Sequence, residues 1–136
     1  DDIRLINLQT ISDDTGKLVV MENGESLNMT IKRVFFVLDH KDVLRGRHAH
    51  IECSQILICQ SGICDVICDD GKQKKTFTID NPSQGLFIPA SIWSEQFYQA
   101  EKTLLLVLCD QLYNEADYIR NYKNFKVYRE SGLKGN

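Results

Sequence analysis

The sequence predicts an all-β domain, a sandwich or barrel carrying one short C-terminal helix. Three observations predict it. Short runs of branched and aromatic residues recur along the chain, turn signals separate them about every 8–12 residues, and no strand–helix–strand alternation occurs. Residues 3–8 begin with apolar/polar alternation, and Asp13-Asp14-Thr15-Gly16-Lys17 reads as a turn before the apolar run 18–21. A second turn is expected over 22–26, around Gly24. IKRVFFVL (31–38) is a strong strand, because branched and aromatic side chains suit a half-buried pleated surface. Residues 39–46 read as a polar connection, and RGRHAH (45–50) as the start of the next strand.

ILIC (56–59), the Ser61-Gly62 turn and ICDVIC (63–68) predict a hairpin. Asp69-Asp70-Gly71-Lys72 closes the next one, since Asp-Gly tolerates the positive φ of a tight hairpin loop. KTFTI (75–79), GLFIP (85–89), SEQFY (94–98) and LLLVL (104–108) complete the β portion. Only the end reads as helical: Asn114 as N-cap, Glu115 and Asp117 in the first turn, then Tyr118, Tyr122 and Phe125 as a stripe packing on the sheet. The polar tail 130–136 is expected to fray. Residues 1–136 are expected to form one domain, with no repeat, linker or low-complexity segment.

Composition narrows the function. The 136 residues are 43% hydrophobic and 26% charged with net charge −3, so no basic footprint for nucleic acid is present. No apolar run has the roughly 18–20 residues of a membrane span, and the first four residues do not read as a secretory leader. Five Cys lie mostly inside apolar runs without a CxxC pair. They read as buried, reduced thiols of a cytoplasmic protein.

His48 and His50 are the sharp feature. Residues two apart on a strand share a face, so the two imidazoles are expected side by side, flanked by Arg45 and Arg47. Such a pair suits either metal binding or acid–base catalysis.

The His-x-His spacing ahead of a barrel-like pattern resembles the cupin superfamily, a jelly-roll β-barrel fold. In the cupin motifs His48 and His50 take the two histidine places and Gly62 the closing glycine. Gln55 stands where the Glu ligand belongs, Pro89 matches the second motif, and Ser91 and Ser94 replace its glycine and third histidine. Neutral amide and hydroxyl groups are poor ligands for the divalent metals such a site takes, so neither metal nor cofactor is expected.

Four blocks in order carry a closer resemblance: RGRHAH (45–50), ILICQSGICDVICDDGK (56–72), GLFIPASIW (85–93) and LYNEADYIRNYKNF (112–125). They are similar to the dTDP-4-keto-6-deoxyglucose 3,4-ketoisomerases, a metal-independent group of sugar-nucleotide cupins. The resemblance implies an isomerase that moves a ketone from C4 to C3 of a dTDP-linked 4-keto-6-deoxyhexose through an enediol. It implies His48 as base and His50 as second proton carrier or enediolate donor, with their order left open. It implies Arg33 and Arg45 for the diphosphate, with Arg47 a weaker candidate on the face of Arg45. Gln55, Trp93 and Glu95 are the remaining substrate-binding candidates. Phe35-Phe36 departs from relatives that carry a Tyr in this pair. A homodimer is expected, partly because long apolar strands leave an edge to cover. The product would pass to an aminotransferase and on to surface polysaccharide such as O-antigen. Two alternatives remain: a 3,5-epimerase of the same substrate, disfavoured because no His–Asp pair with a separate catalytic Tyr is evident, and a non-catalytic sugar-binding cupin.

Overall fold

The computed structural model describes residues 2–24 and 27–132. The turn expected over 22–26 and the tail expected over 130–136 therefore lie partly outside the described residues. In chain order the elements are β1 (Arg4–Asn7), β2 (Gln9–Asp13), β3 (Gly16–Val20), β4 (Arg33–Asp39), β5 (Val43–His50), β6 (Gln55–Ser61), β7 (Cys64–Asp69), β8 (Lys74–Ile79), β9 (Gln84–Ile88), β10 (Trp93–Tyr98), β11 (Thr103–Cys109), β12 (Tyr118–Ile119) and α1 (Tyr122–Glu130).

Ten strands form two five-stranded antiparallel sheets, β1-β9-β6-β11-β4 and β12-β5-β10-β7-β8, and β2 pairs only with β3. The barrel expected from the cupin resemblance is thus a pair of open sheets. The two inner faces share one core: Leu57, Leu86, Leu105 and Val107 from the first sheet meet Cys64, Val66, Cys68 and Tyr98 from the second. The continuous apolar character of β6 follows from burial on both sides. Leu57 and Cys59 face that core, while Ile56 and Ile58 face a second cluster with Leu8, Leu27 and Phe87 on the outer face. β4 alternates instead. It is an edge strand, and Val34, Phe36 and Leu38 on its outer face remain exposed.

Two expectations are corrected in ways that bear on function. The connection expected over 39–46 is only residues 40–42. β5 already starts at Val43, because its first half pairs with β10 from Val43 onward. The helix does not begin at Asn114 either. The Asn114 side chain caps a single 3-10 turn (Glu115–Asp117), the chain then extends into β12, and α1 starts afresh with Asn121 as its cap. Tyr118 therefore lies on a strand, and only Tyr122 and Phe125 of the expected stripe belong to the helix. Phe125 is fully buried with Ala49 and Trp93, a contribution of about 2–3 kcal/mol for the ring. α1 thus closes the outer face of β5 directly behind the histidines.

Candidate active site

A β-bulge decides which side chains of β5 face the interior. Gln96 of β10 pairs with Arg45 and Glu95 with Gly46, but Ser94 pairs with His48, so Arg47 has no partner. Gly46 and Arg47 both adopt positive φ, 83° and 63°. The extra residue resets the alternation. In an unbroken strand Arg45 and His48 would point to opposite faces; with the bulge both point inward and Arg47 is left exposed. Arg45 and Arg47 thus do not share the face expected of them. Glycine suits position 46, since a Cβ there would lie 2.5 Å from Gln96 Oε1 and 3.1 Å from the Ser94 carbonyl and would force the Gln96 tip aside.

A cavity of about 390 Å³ opens between the sheets at this point. Its apolar wall is Phe35, Val37, Leu57, Tyr98, Leu105 and Val107, and its polar groups are Arg45, His48, Gln55, Gln96 and Arg120. This is an interior of the kind that holds a small ligand. His48 lines the cavity and His50 stands behind it, with ring centroids 5.1 Å apart and planes nearly perpendicular. His50 Nδ1 lies 3.1 Å from Asp117 Oδ2. With the proton on Nδ1, Nε2 is an acceptor. His48 Nδ1 and His50 Nε2 are both buried without a protein partner. Buried polar atoms normally find partners, which sets this pair of imidazoles apart, and His48 of the two lines the cavity.

The environment keeps both rings neutral. Burial, and then the neighbouring His50, pushes the His48 pKa down to about 4. Burial also pushes His50 down, opposed by the hydrogen bond to Asp117. The Asp117 carboxylate additionally accepts the Glu52 and Cys53 N–H groups, at 2.6 and 3.3 Å. Sequence reasoning missed Asp117, whose place in the first turn of an apparent helix suggested only a dipole effect. It also saw no His–Asp pair, and the His50–Asp117 contact corrects that. The pairing of β12 with β5, Tyr118 opposite His50, delivers this carboxylate. The same pairing packs the Tyr118 ring against His48 and His50, at 5.0 and 4.3 Å.

The remaining candidates divide. Gln55 is buried in the cavity wall with its Nε2 3.5 Å from Cys109 Sγ. Arg45 reaches the wall but is ion-paired to Asp39. Arg33 lies outside the wall, its guanidinium over the Phe35 and Tyr113 rings and 3.5 Å from the Tyr118 hydroxyl. Trp93 and Glu95 are turned away. They alternate with the inward Ser94, Gln96 and Tyr98, and Trp93 packs on Tyr122 and Phe125 while its Nε1 donates to Glu95. Phe36 points outward, so only Phe35 of the Phe pair bears on the cavity. Arg120, not singled out from sequence, lines the cavity. Among the described residues no group of three or more His, Cys, Asp or Glu side chains is arranged to hold a metal ion.

Comparison with known proteins gives this geometry a family. A model described as FdtA, WxcM-like, C-terminal, matches residues 1–130. A TDP-4-oxo-6-deoxy-alpha-D-glucose-3,4-oxoisomerase from Aneurinibacillus thermoaerophilus is 39% identical over 126 residues, 92% of this chain and 91% of that protein. A 3,4-ketoisomerase from Helicobacter canadensis superposes with a TM-score of 0.91 at 35% identity, covering 95% of this chain and 98% of the other. QdtA, a sugar 3,4-ketoisomerase from Thermoanaerobacterium thermosaccharolyticum solved in complex with TDP, superposes with a TM-score of 0.92 at 33% identity over 97% of each chain. The chain belongs to the FdtA, WxcM-like family, as its four sequence blocks led us to expect.

Proposed function

We infer that this isomerase is a sugar-nucleotide 3,4-ketoisomerase that converts dTDP-4-keto-6-deoxyglucose to a dTDP-3-keto-6-deoxyhexose. The observation that carries the reading is a largely buried imidazole, His48, in the wall of a cavity of about 390 Å³, with the His50 ring packed 5.1 Å from it and held by Asp117. Keto transfer needs one group to move a proton between carbons and another to move one between oxygens. His48, in the cavity wall, takes the C3 proton. The C3–H electron pair forms the C3=C4 double bond, and the C4 carbonyl becomes an enediolate. The O3 hydroxyl gives up its proton as O4 gains one, with His50 as carrier. Protonated His48 then delivers its proton to C4, leaving a C3 ketone and a C4 hydroxyl. No electrons enter or leave, so the step needs no redox partner. An imidazole held neutral at pH 7 has its lone pair free for the first transfer. Once protonated in a site that disfavours its charge, it is a strong acid for the last one.

Asp117 fixes His50 in the tautomer that aims an acceptor nitrogen away from the carboxylate. Gln55 and Gln96 supply neutral hydrogen-bonding groups in the same wall. Fixed donors of this sort are worth most where water is excluded. Two copies are proposed to associate through the β4 edge, whose Val34, Phe36 and Leu38 are 55%, 66% and 61% exposed. Phe36→Lys should then yield a monomer by sedimentation. Five buried, unpaired thiols favour a reducing compartment, and we place the protein in the cytoplasm.

The direct test is incubation with dTDP-4-keto-6-deoxyglucose in deuterated water, followed by NMR. A new C3 ketone is the expected result, with deuterium at C4 in the fraction of turnovers where protonated His48 exchanges with solvent before delivery. Deuterium at C3 and C5 with the C4 ketone retained would make the chain a 3,5-epimerase, and no turnover would make it a binding protein.

A further inference from the structure

Cys53 and Cys109 touch both each other and the active site. Cys109 ends β11 opposite Gln55 of β6. The Ser54 N–H donates to Asp110 Oδ1 at 2.8 Å and the Asp110 N–H to the Ser54 carbonyl at 3.2 Å, which carries the pairing one residue further. Cys53 therefore lies diagonally across from Cys109, and the two thiols are hydrogen-bonded to each other. Each is also tied to a different part of the site. The Cys53 N–H, beside that of Glu52, donates to the Asp117 carboxylate that holds His50. Gln55 Nε2, in the cavity wall, lies 3.5 Å from Cys109 Sγ. The Cys53 thiol, then the Gln55 amide and the Arg33 charge, hold the Cys109 thiol below the ordinary range despite its burial. Burial instead pushes Cys59, Cys64 and Cys68 up to about 11, 12 and 12. The thiolate is the reactive form, so oxidation selects Cys109, and Cys53 is the thiol in reach to resolve it.

We propose that Cys53 and Cys109 are an oxidation site for hydrogen peroxide, closing to a disulfide that loosens Asp117 from its backbone donors and switches the histidine pair off. The Cys109 thiolate attacks one peroxide oxygen and the O–O bond breaks. A sulfenic acid forms, and the departing hydroxide becomes water with the proton the thiol gave up. Cys53 then attacks the Cys109 sulfur, the S–O bond breaks, and the oxygen leaves as a second water with the Cys53 proton. Two thiols are oxidised and one peroxide is reduced, so the electrons balance. A disulfide needs its sulfurs about 2.05 Å apart, closer than hydrogen-bonded thiols lie. Cys53 sits in the connection between β5 and β6, and that connection moves to make up the difference. The movement draws the Glu52 and Cys53 N–H groups away from Asp117 and leaves Gln55 facing a disulfide sulfur. Cys53 is 5% exposed and Cys109 fully buried, so the pair admits a small uncharged oxidant and excludes bulky ones. Disulfides that form in a reducing compartment are mostly transient and redox-sensing.

The test is treatment of the whole chain with hydrogen peroxide, read by mass and by NMR of the histidine rings. Wild type should lose about 2 Da, the two thiol hydrogens. Without reductant, trypsin should leave fragment 48–72 joined to fragment 103–120, and tandem mass spectrometry should place the bond on Cys53 and Cys109. The His50 ring signals should shift on oxidation and return with dithiothreitol. Turnover of dTDP-4-keto-6-deoxyglucose should fall at least about 10-fold and recover with them. Cys53→Ser and Cys109→Ser, each compared with its own untreated sample, should keep their His50 signals and their turnover through the same treatment. No loss of mass, or a bond between other cysteines, would overturn the site. A Cys53–Cys109 bond that leaves the His50 signals unmoved would overturn the switch, as would serine variants inactivated as fast as wild type. An untreated chain without turnover loses the ketoisomerase reading, while mass and His50 signals still decide the oxidation site.

Discussion

Gly46→Ala tests the claim that a bulge, and not the His-x-His spacing alone, aims His48. At φ of 83° an alanine pays about 1–2 kcal/mol for the left-handed backbone. Its Cβ would sit 2.5 Å from Gln96 Oε1 and 3.1 Å from the Ser94 carbonyl. The glutamine tip can swing aside, at the cost of its 3.1 Å hydrogen bond to Ser94 Oγ, about 1 kcal/mol. Together these predict a loss of about 2–3 kcal/mol, read as a fall of roughly 1 M in the urea midpoint. The backbone strain is relieved by shifting Arg47 toward the ladder, and a full residue of slip would turn His48 to the opposite face. Even a displacement near 1 Å at a catalytic group costs about 100-fold in rate. The expected result is therefore kcat reduced about 100-fold in a chain that still folds, measured by NMR turnover beside urea unfolding. A variant that loses stability and keeps its kcat would show that the bulge is structural only. One that keeps both would refute the argument from backbone geometry.

The other predictions concern the histidines and their carboxylate. His48→Asn should lower turnover by at least about 100-fold while binding TDP as wild type does, checked by single-turnover assay and titration. Asp117→Asn cannot accept all three of the N–H groups now facing the carboxylate. It should cost about 1–3 kcal/mol of stability and more than 10-fold in kcat, with KM little changed. His48 has a folded pKa of about 4 against an ordinary 6.5, so between these values the unfolded chain binds the additional proton. Its stabilising contribution is whole above pH 6.5 and falls by about 3 kcal/mol as the pH drops to about 4. Urea midpoints across pH 7 to 4 should show that decline, with a shallower slope in His48→Asn. A midpoint that rises on acidification would contradict it.

Much of the fold was legible because its signals are local. β4 alternates and β6 is apolar on both faces, so burial wrote itself into residue type. β2 escaped notice because its side chains face mostly solvent and carry no alternation. The start of β5 did so because its partner β10, not its own composition, makes it a strand. The candidate site was legible in its histidines and obscure in what surrounds them. Trp93 and Glu95 looked suitable by chemistry, yet in WSEQFY both faces mix aromatic and polar residues, so the sequence held no clue to which side is inward. Asp117 was hidden by an ambiguity of type: Asn114, Glu115 and Asp117 fit the start of an α-helix as well as the single 3-10 turn they form.

That ambiguity has a functional reason. A helix running on from Asn114 would have carried residues 117–120 along its own axis, away from β5. Breaking it lets two residues pair with β5 instead, and the short return sets Asp117 against His50, Tyr118 against both imidazoles and Arg120 in the cavity wall. Only then does α1 form, with Phe125 packed on Ala49 between the histidines on the outer face. One segment thus holds β5 from both sides. Local helix propensity yields here to a tertiary pairing only two residues long, because that pairing satisfies a buried carboxylate and an imidazole that otherwise lack partners. The residues least readable in sequence are therefore those that make two histidines into a site.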